Sequence, residues 1–189
     1  MEENQTKKRL FTVFRYLFGA VLLVGFDQWT KSLAVAHLKG QEAYPVIKGV
    51  FELSYLENRG MAWGLLSGQR YVFLIGSVLI LLLIAYAFWK APSTRRYLPA
   101  RLILTVLCAG AVGNLADRLV QGYVVDFFSL TLIDFPVFNV ADCYVVAAGI
   151  AFVIFFLFYY KDEELAVFLP GRRKKKSTPD KNRGEDAQI

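Results

Sequence analysis

Histidine occurs once and cysteine twice in these 189 residues, and charged side chains make up only 20% of them. Each scarcity removes a chemistry. A lone His37 excludes a His-Glu-x-x-His zinc site and leaves a Ser-His-Asp triad without support; it is read as a surface or interfacial side chain. Cys108 and Cys143 are too few for a disulfide framework, and with no partner histidine they are poor thiol nucleophiles. They are read as free, buried thiols. No Gly-x-Ser-x-Gly elbow, phosphate-binding glycine loop, internal repeat or proline-rich linker is present. Charge is also absent over long stretches: none falls between Tyr71 and Trp89, Leu102 and Ala116, or Cys143 and Tyr160, and Arg15 alone interrupts 10–26.

What the chain has instead is 56% hydrophobic residues, 15% aromatic residues and a mean hydropathy of +0.39. A soluble core helix keeps a polar face, and these runs have none. Spanning a bilayer takes roughly 20 mainly apolar residues, so four spans are predicted, at about 10–26, 70–89, 102–121 and 141–160. The expected fold is an all-α integral membrane protein with four transmembrane helices and a small β-rich extracytoplasmic domain. That β-rich segment is placed at about 27–69, because Val46 to Leu56 is rich in β-branched and aromatic residues around a glycine break. The third span is the least apolar, and its polar end from Asn114 belongs inside a bundle or facing water.

Most of the 22 Lys and Arg lie in the N-terminus, in the 90–101 loop and after residue 160. Such flanks stay in the cytoplasm, so both termini are predicted inside and 27–70 and 122–140 outside. Lys7, Lys8 and Arg9, the apolar stretch after them and Ala34-Val35-Ala36 have the outline of a secretory signal peptide. Asp27 and Lys31 interrupt the approach to that cut, and an uncleaved helix is preferred. Residues 1–165 read as one membrane-embedded domain and 166–189 as a basic, disordered cytoplasmic tail. A pI of 9.3 reflects topology and contact with membrane lipids rather than nucleic acid.

The polar residues of the spans gather at one level. Asp27, Asn114, Asp117, Arg118, Asp126, Asn139 and Asp142 all fall near the predicted outer ends, and the middles of the runs carry no charge. This speaks against a proton or ion path, which needs groups along the depth. A Ser–Lys dyad through Ser32 or Ser54 is conceivable, although Lys31 and Ser32 are adjacent on a helix and do not face each other.

A carboxylate pair is the remaining candidate, because two close aspartates share a proton and can act as base and acid on water and a carbonyl. Asp126 and Asp142 are best placed for this. Asn139 can equally be a plain N-cap with Asp142 at N3. Asp27 and Lys31 can be an interfacial ion pair, Arg118 can pair with Asp117 or a lipid phosphate, and Asp117 and Asp134 read as structural or solvated acids. From the residues alone, a hydrolase is favoured over a small membrane transporter or a non-enzymatic membrane assembly protein.

Five blocks occur in order: Asp27-Gln28-x-x-Lys31, Asn58-x-Gly60-x-Ala62-Trp63-Gly64, Gly113-Asn114-x-x-Asp117-Arg118, Val124-Val125-Asp126-Phe127 and Phe138-Asn139-x-Ala141-Asp142. Together they resemble the bacterial lipoprotein signal peptidase (signal peptidase II) family over roughly residues 10–160. The resemblance implies an aspartic endopeptidase of the cytoplasmic (inner) membrane. Such an enzyme removes signal peptides from prolipoproteins just before a diacylglyceryl-modified cysteine, needs no metal or cofactor, and is inhibited by globomycin-type peptides. It implies Asp126 and Asp142 as the catalytic pair near the outer face. Asn58, Gly60, Asn114, Arg118 and Asn139 are implied as substrate-binding or ordering groups, with Asp27 and Lys31 in support. Met61-Ala62-Trp63 is expected to close over substrate. Cys143 and Met61 depart from the family pattern and bear on pocket shape and inhibitor fit.

Overall fold

A computed structural model describes residues 2–60 and 69–168. The Met61-Ala62-Trp63 segment and all but the first residues of the basic tail lie outside the described residues. The elements run in the order α1 (Glu2–Leu38), β1 (Tyr44–Ile47), β2 (Phe51–Asn58), α2 (Arg70–Lys90), α3 (Leu98–Val120), β3 (Val124–Leu130), β4 (Phe135–Phe138), α4 (Val140–Phe158) and a single turn α5 (Asp162–Leu165).

Among the described residues, four stretches are long and apolar enough to cross a bilayer: Leu10–Leu38, Tyr71–Lys90, Arg95–Val120 and Val140–Phe158. The chain is a multi-pass membrane protein. Large apolar side chains along α1, α2 and α4 stand exposed, among them Phe11, Leu83 and Phe152. In lipid that exposure carries no penalty. α3 packs against each of the other three long helices, and Ile103, Thr105, Ala109, Gly110, Gly113 and Asp117 are all buried along it. A central helix can be less apolar because protein rather than lipid surrounds it, which accounts for the weak hydropathy of this span.

Close packing around α3 depends on small residues, as is usual between membrane helices. A Cβ added at Gly110 would lie 2.6 Å from the Ala141 carbonyl oxygen, and one at Gly113 would lie 2.6 Å from Asp27 Oδ2. Gly113→Ala is therefore expected to push α1 and α3 apart. A loss of about 1–3 kcal/mol, the usual cost of overpacking, should appear as a lower thermal midpoint in detergent.

Two features differ from the sequence expectation. The first helix does not stop near residue 26 but continues to Leu38, carrying Asp27 and Lys31 with it. Both charges are neutralised inside the bundle, so they do not end the helix. The second difference is a larger sheet. Four antiparallel strands lie in the order β1-β2-β3-β4, whereas only the β-rich segment Val46 to Leu56 is legible in advance. Its turn holds Gly49 at φ 75°, a conformation glycine adopts without strain.

The two unforeseen strands come from 122–140, read from sequence as a connecting segment. β3 pairs with β4 through Phe128↔Phe138 and Leu130↔Phe135, and the rings of Phe51, Phe127, Phe128 and Phe138 pack together over this part of the sheet. Val125 and Phe127 form a buried cluster with Ala34 of α1 and Val140 of α4. The sheet is thus seated on the C-terminal turns of α1 and the start of α4. Asp126 lies between those two buried side chains.

Candidate active site

The polar residues singled out from sequence converge where α1 and α3 end and α4 begins. Their placement starts with α4. Its N-cap is Asn139, whose Oδ1 accepts the Asp142 backbone N–H at 3.0 Å, while Asp142 Oδ2 accepts the Asn139 backbone N–H at 3.0 Å. This reciprocal capping box satisfies two of the orphan donors of a helix start. The helix N-terminus also favours the nearby carboxylates.

Capping alone leaves the rest of Asn139 unexplained. Its Nδ2 donates to Asp126 Oδ1 at 2.5 Å, to Asn114 Oδ1 at 3.2 Å and to the Val125 carbonyl at 3.3 Å. The side chain is wholly buried. One residue therefore holds both aspartates, Asp142 through its backbone and Asp126 through its amide. Asn114 Nδ2 completes the binding of Asp142 with a 2.7 Å bond to Oδ1.

Asp126 comes from the sheet. It pairs with Leu56 of β2, while Asn58 pairs with Val124, so Asn58 and Asp126 are diagonal neighbours on one face. Asn58 Nδ2 reaches Asp126 Oδ2 at 2.8 Å. The Gly60 backbone N–H donates to Asn58 Oδ1 at 3.0 Å, which fixes the amide with its donor toward the carboxyl. Beside it, Glu57 is bound by Lys39 and Arg59, both at 3.0 Å. Those two hydrogen bonds, Lys39 first, hold the Glu57 carboxyl down at about 2.

Only 1% of Asp126 is exposed. Burial raises its pKa from 3.8 to about 7, with the Asp142 charge adding to the rise and hydrogen bonds from Asn58 and Asn139 opposing it. A carboxyl that keeps its proton near neutrality can donate it to a carbonyl oxygen, and an ionised neighbour can take one from water. The two aspartates share an amide network, and both roles are chemically available to them.

Behind this pair lies a second buried charge cluster. Lys31 Nζ lies 2.9 Å from Asp27 Oδ2 and 3.0 Å from Asp117 Oδ2, and it donates to Asn114 Oδ1 at 2.9 Å. Asp27 and Lys31 are thus not an interfacial pair at the surface: they are 0% and 3% exposed. Nor is Asp117 a solvated acid, since it is buried and accepts the Val125 N–H at 3.2 Å. Asp27 Oδ1 accepts the Ala141 N–H at 2.9 Å and so satisfies another donor of the first turn of α4. Gln28, quoted in the first sequence block but given no role there, donates to Asp117 Oδ1 at 2.8 Å and to the Gly113 carbonyl at 3.2 Å. The signal for it was available, since it sits beside Asp27 directly after the apolar stretch 16–26.

Of the alternatives open for Arg118, a pair with Asp117 does not form. Its Nη1 donates to the Asn114 carbonyl at 3.2 Å, and its guanidinium lies over Phe73 at 5.1 Å. No ion pair joins it to an aspartate among the described residues. The Ser–Lys alternative loses its parts: Lys31 is held between carboxylates, while Ser32 is exposed and donates to the Trp29 carbonyl. His37 is exposed and its Nδ1 contacts the Leu33 carbonyl of its own helix. Cys108 and Cys143 are free, but neither is the buried thiol expected from sequence: Cys108 is half-buried and Cys143 is exposed. Among the described residues no group of three or more His, Cys, Asp or Glu side chains is arranged to hold a metal.

A family model described as Signal peptidase (SPase) II matches residues 19–158. The lipoprotein signal peptidase of Streptococcus thermophilus (strain CNRZ 1066) is 40% identical over 141 residues, which are 75% of this chain and 89% of that protein. That of Clostridioides difficile (strain 630) is 35% identical over 144 residues, 76% of this chain and 95% of that protein. A solved structure described as a bacterial membrane enzyme, determined by the in meso method at 1.9 Å resolution, superposes with a TM-score of 0.69 at 33% identity. The match covers 78% of this chain and 96% of that one.

Proposed function

Since the chain belongs to the signal peptidase II family, we propose that it is an aspartic endopeptidase that removes signal peptides from diacylglyceryl-modified prolipoproteins. The cut falls just before the lipidated cysteine. The observation that carries this reading is the buried amide cage around Asp126 and Asp142, in which Asn139 binds both carboxyls and Asn58 and Asn114 bind one each.

The mechanism follows from that geometry. Asp126 and Asp142 share one proton, so that one carboxyl activates a water while the other protonates the peptide carbonyl. The water attacks directly and no covalent intermediate forms. The asparagines donate N–H groups to both carboxyls, which steadies the ionised member in a site with little solvent. Lys31, paired with Asp27 and Asp117 and bonded to Asn114, supplies positive charge behind the pair without becoming a proton donor to it. The protein lies in the bacterial cytoplasmic membrane with both termini inside. The sheet and the aspartates then face outward, at the leaflet where lipid anchors on a substrate cysteine remain in the bilayer while the scissile bond enters the polar layer.

The test is a cleavage assay on purified protein with one prolipoprotein in two forms. The diacylglyceryl-modified form is expected to be cut and the unmodified form spared; cutting of both, or of neither, defeats the reading. The pH profile of the same assay carries a second expectation. Activity should fall as pH rises past about 7, where the pair loses its shared proton; this apparent value belongs to the pair. Stability should move in the same direction. The Asp126 pKa is raised by folding, so its stabilising contribution is full in acid and is lost as pH rises from about 4 toward 7.

A further inference from the structure

The far end of the bundle holds a second polar feature that the proteolytic site does not use. α1 and α3 run parallel, with Asp27 beside Asp117 at one end and Tyr16 beside Arg101 at the other. At that second end lies a cavity of about 710 Å³ between α1, α3 and the connection from α2 to α3. Arg15, Arg95 and Arg101 line it together with Leu22, Leu98 and Leu102.

Arg101 is the unusual member. It is only 4% exposed; its Nη2 donates to the Thr94 carbonyl at 2.8 Å and its guanidinium lies 5.5 Å from the Tyr16 ring centre. Its Nε is the buried side-chain polar atom that finds no partner among the described residues. A buried charged donor without an acceptor is expensive. No carboxylate offsets it, because none of the ion pairs formed among the described residues includes Arg15, Arg95 or Arg101, and neighbouring Arg96 is already matched by Glu164. Three guanidinium groups therefore border one cavity, and none of them is ion-paired to a carboxylate among the described residues.

The walls define what kind of anion fits. Leu22, Leu98 and Leu102 line the cavity yet remain exposed on the outside of the bundle, so the polar pocket continues into a lipid-facing apolar surface. We propose that this cavity binds one anionic phospholipid, with its phosphate against Arg15, Arg95 and Arg101 and an acyl chain along Leu22, Leu98 and Leu102. Guanidinium forks suit phosphate oxygens better than any other anion on a membrane surface. The bound lipid pins α1 to α3 at the end opposite the aspartates.

Purified full-length protein, stripped of lipid in detergent, is the material for the test. Phosphatidylglycerol, phosphatidylcholine and inorganic phosphate are titrated separately, with thermal midpoint and native mass spectrometry as readouts. Phosphatidylglycerol is expected to raise the midpoint and to be retained as one copy, while phosphatidylcholine and inorganic phosphate do neither. The double variant Arg15→Gln, Arg95→Gln should weaken phosphatidylglycerol binding about thirtyfold, at roughly fivefold for each arginine near a lipid surface. Leu102→Trp should block retention by filling the cavity, and either variant carries the test if the other fails to fold. Equal effects of the two lipids would overturn the proposal, as would an equal shift with inorganic phosphate or unchanged binding in both variants. Binding is read without any cleavage, so this result is independent of the proteolytic assignment.

Discussion

Asp126→Asn and Asp142→Asn are each expected to lower prolipoprotein cleavage by about 10⁴-fold, the upper end of what a positioned acid or base contributes. The substitution keeps shape and volume but removes the titrating proton. Asp126→Asn leaves a carboxamide facing Asn58 and Asn139, so one hydrogen bond is lost while the fold keeps its packing. Thermal unfolding measured beside cleavage separates the two effects: both variants should melt within a few degrees of the parent protein. A double variant should be no slower than either single one, because the pair acts as a unit. Retained cleavage in both folded variants would make Asp126 and Asp142 structural and remove the aspartic mechanism.

Lys31→Met should produce the largest change in stability. It removes the one cation between Asp27 and Asp117, leaving two carboxylates in a site where Asp27 has no exposure at all. Breaking a buried pair by deleting one partner costs about 3–5 kcal/mol. The measurement is denaturation in detergent or mixed micelles at neutral pH. Part of the loss should be recovered by adding Asp117→Asn, which removes one of the stranded charges. A variant as stable as the parent would mean that Lys31 has no structural task.

The apolar runs gave away the four spans because bilayer thickness fixes their length whatever surrounds them. The weak third span was interpretable for the same reason: its polar end at Asn114 needed protein around it, and α3 is the helix the others surround. The i, i+3 spacing of Asn139 and Asp142 also predicted a cap, since helix geometry is local. What local rules cannot reach is the second use of Asn139. Its amide meets Asp126 only because the β3–β4 hairpin turns the chain back onto the start of α4, and a segment read as a connection gave no reason to expect strands there. The buried state of Asp27, Lys31 and Asp117 is hidden likewise. An i, i+4 ion pair looks the same in sequence at a surface or in a core, and Asp117 finds its cation on a different helix. Gly113 carries no visible mark of its role, which is defined by how near Asp27 comes.

The distribution of that neutralising charge has a consequence for biogenesis. α1 leaves the ribosome with Asp27 and Lys31 one turn apart, so the pair can shed its net charge inside a single helix before any other span exists. α3 has no such provision for Asp117, since its neighbour Arg118 turns to the Asn114 carbonyl. α3 must therefore meet an already inserted α1 to bury that acid, and the Val125 and Ala141 N–H groups that donate to Asp117 and Asp27 come later still in the chain. Asp27 and Lys31 are made before Asp117, so the counter-charge that α3 needs is already in place on α1 when α3 is synthesised.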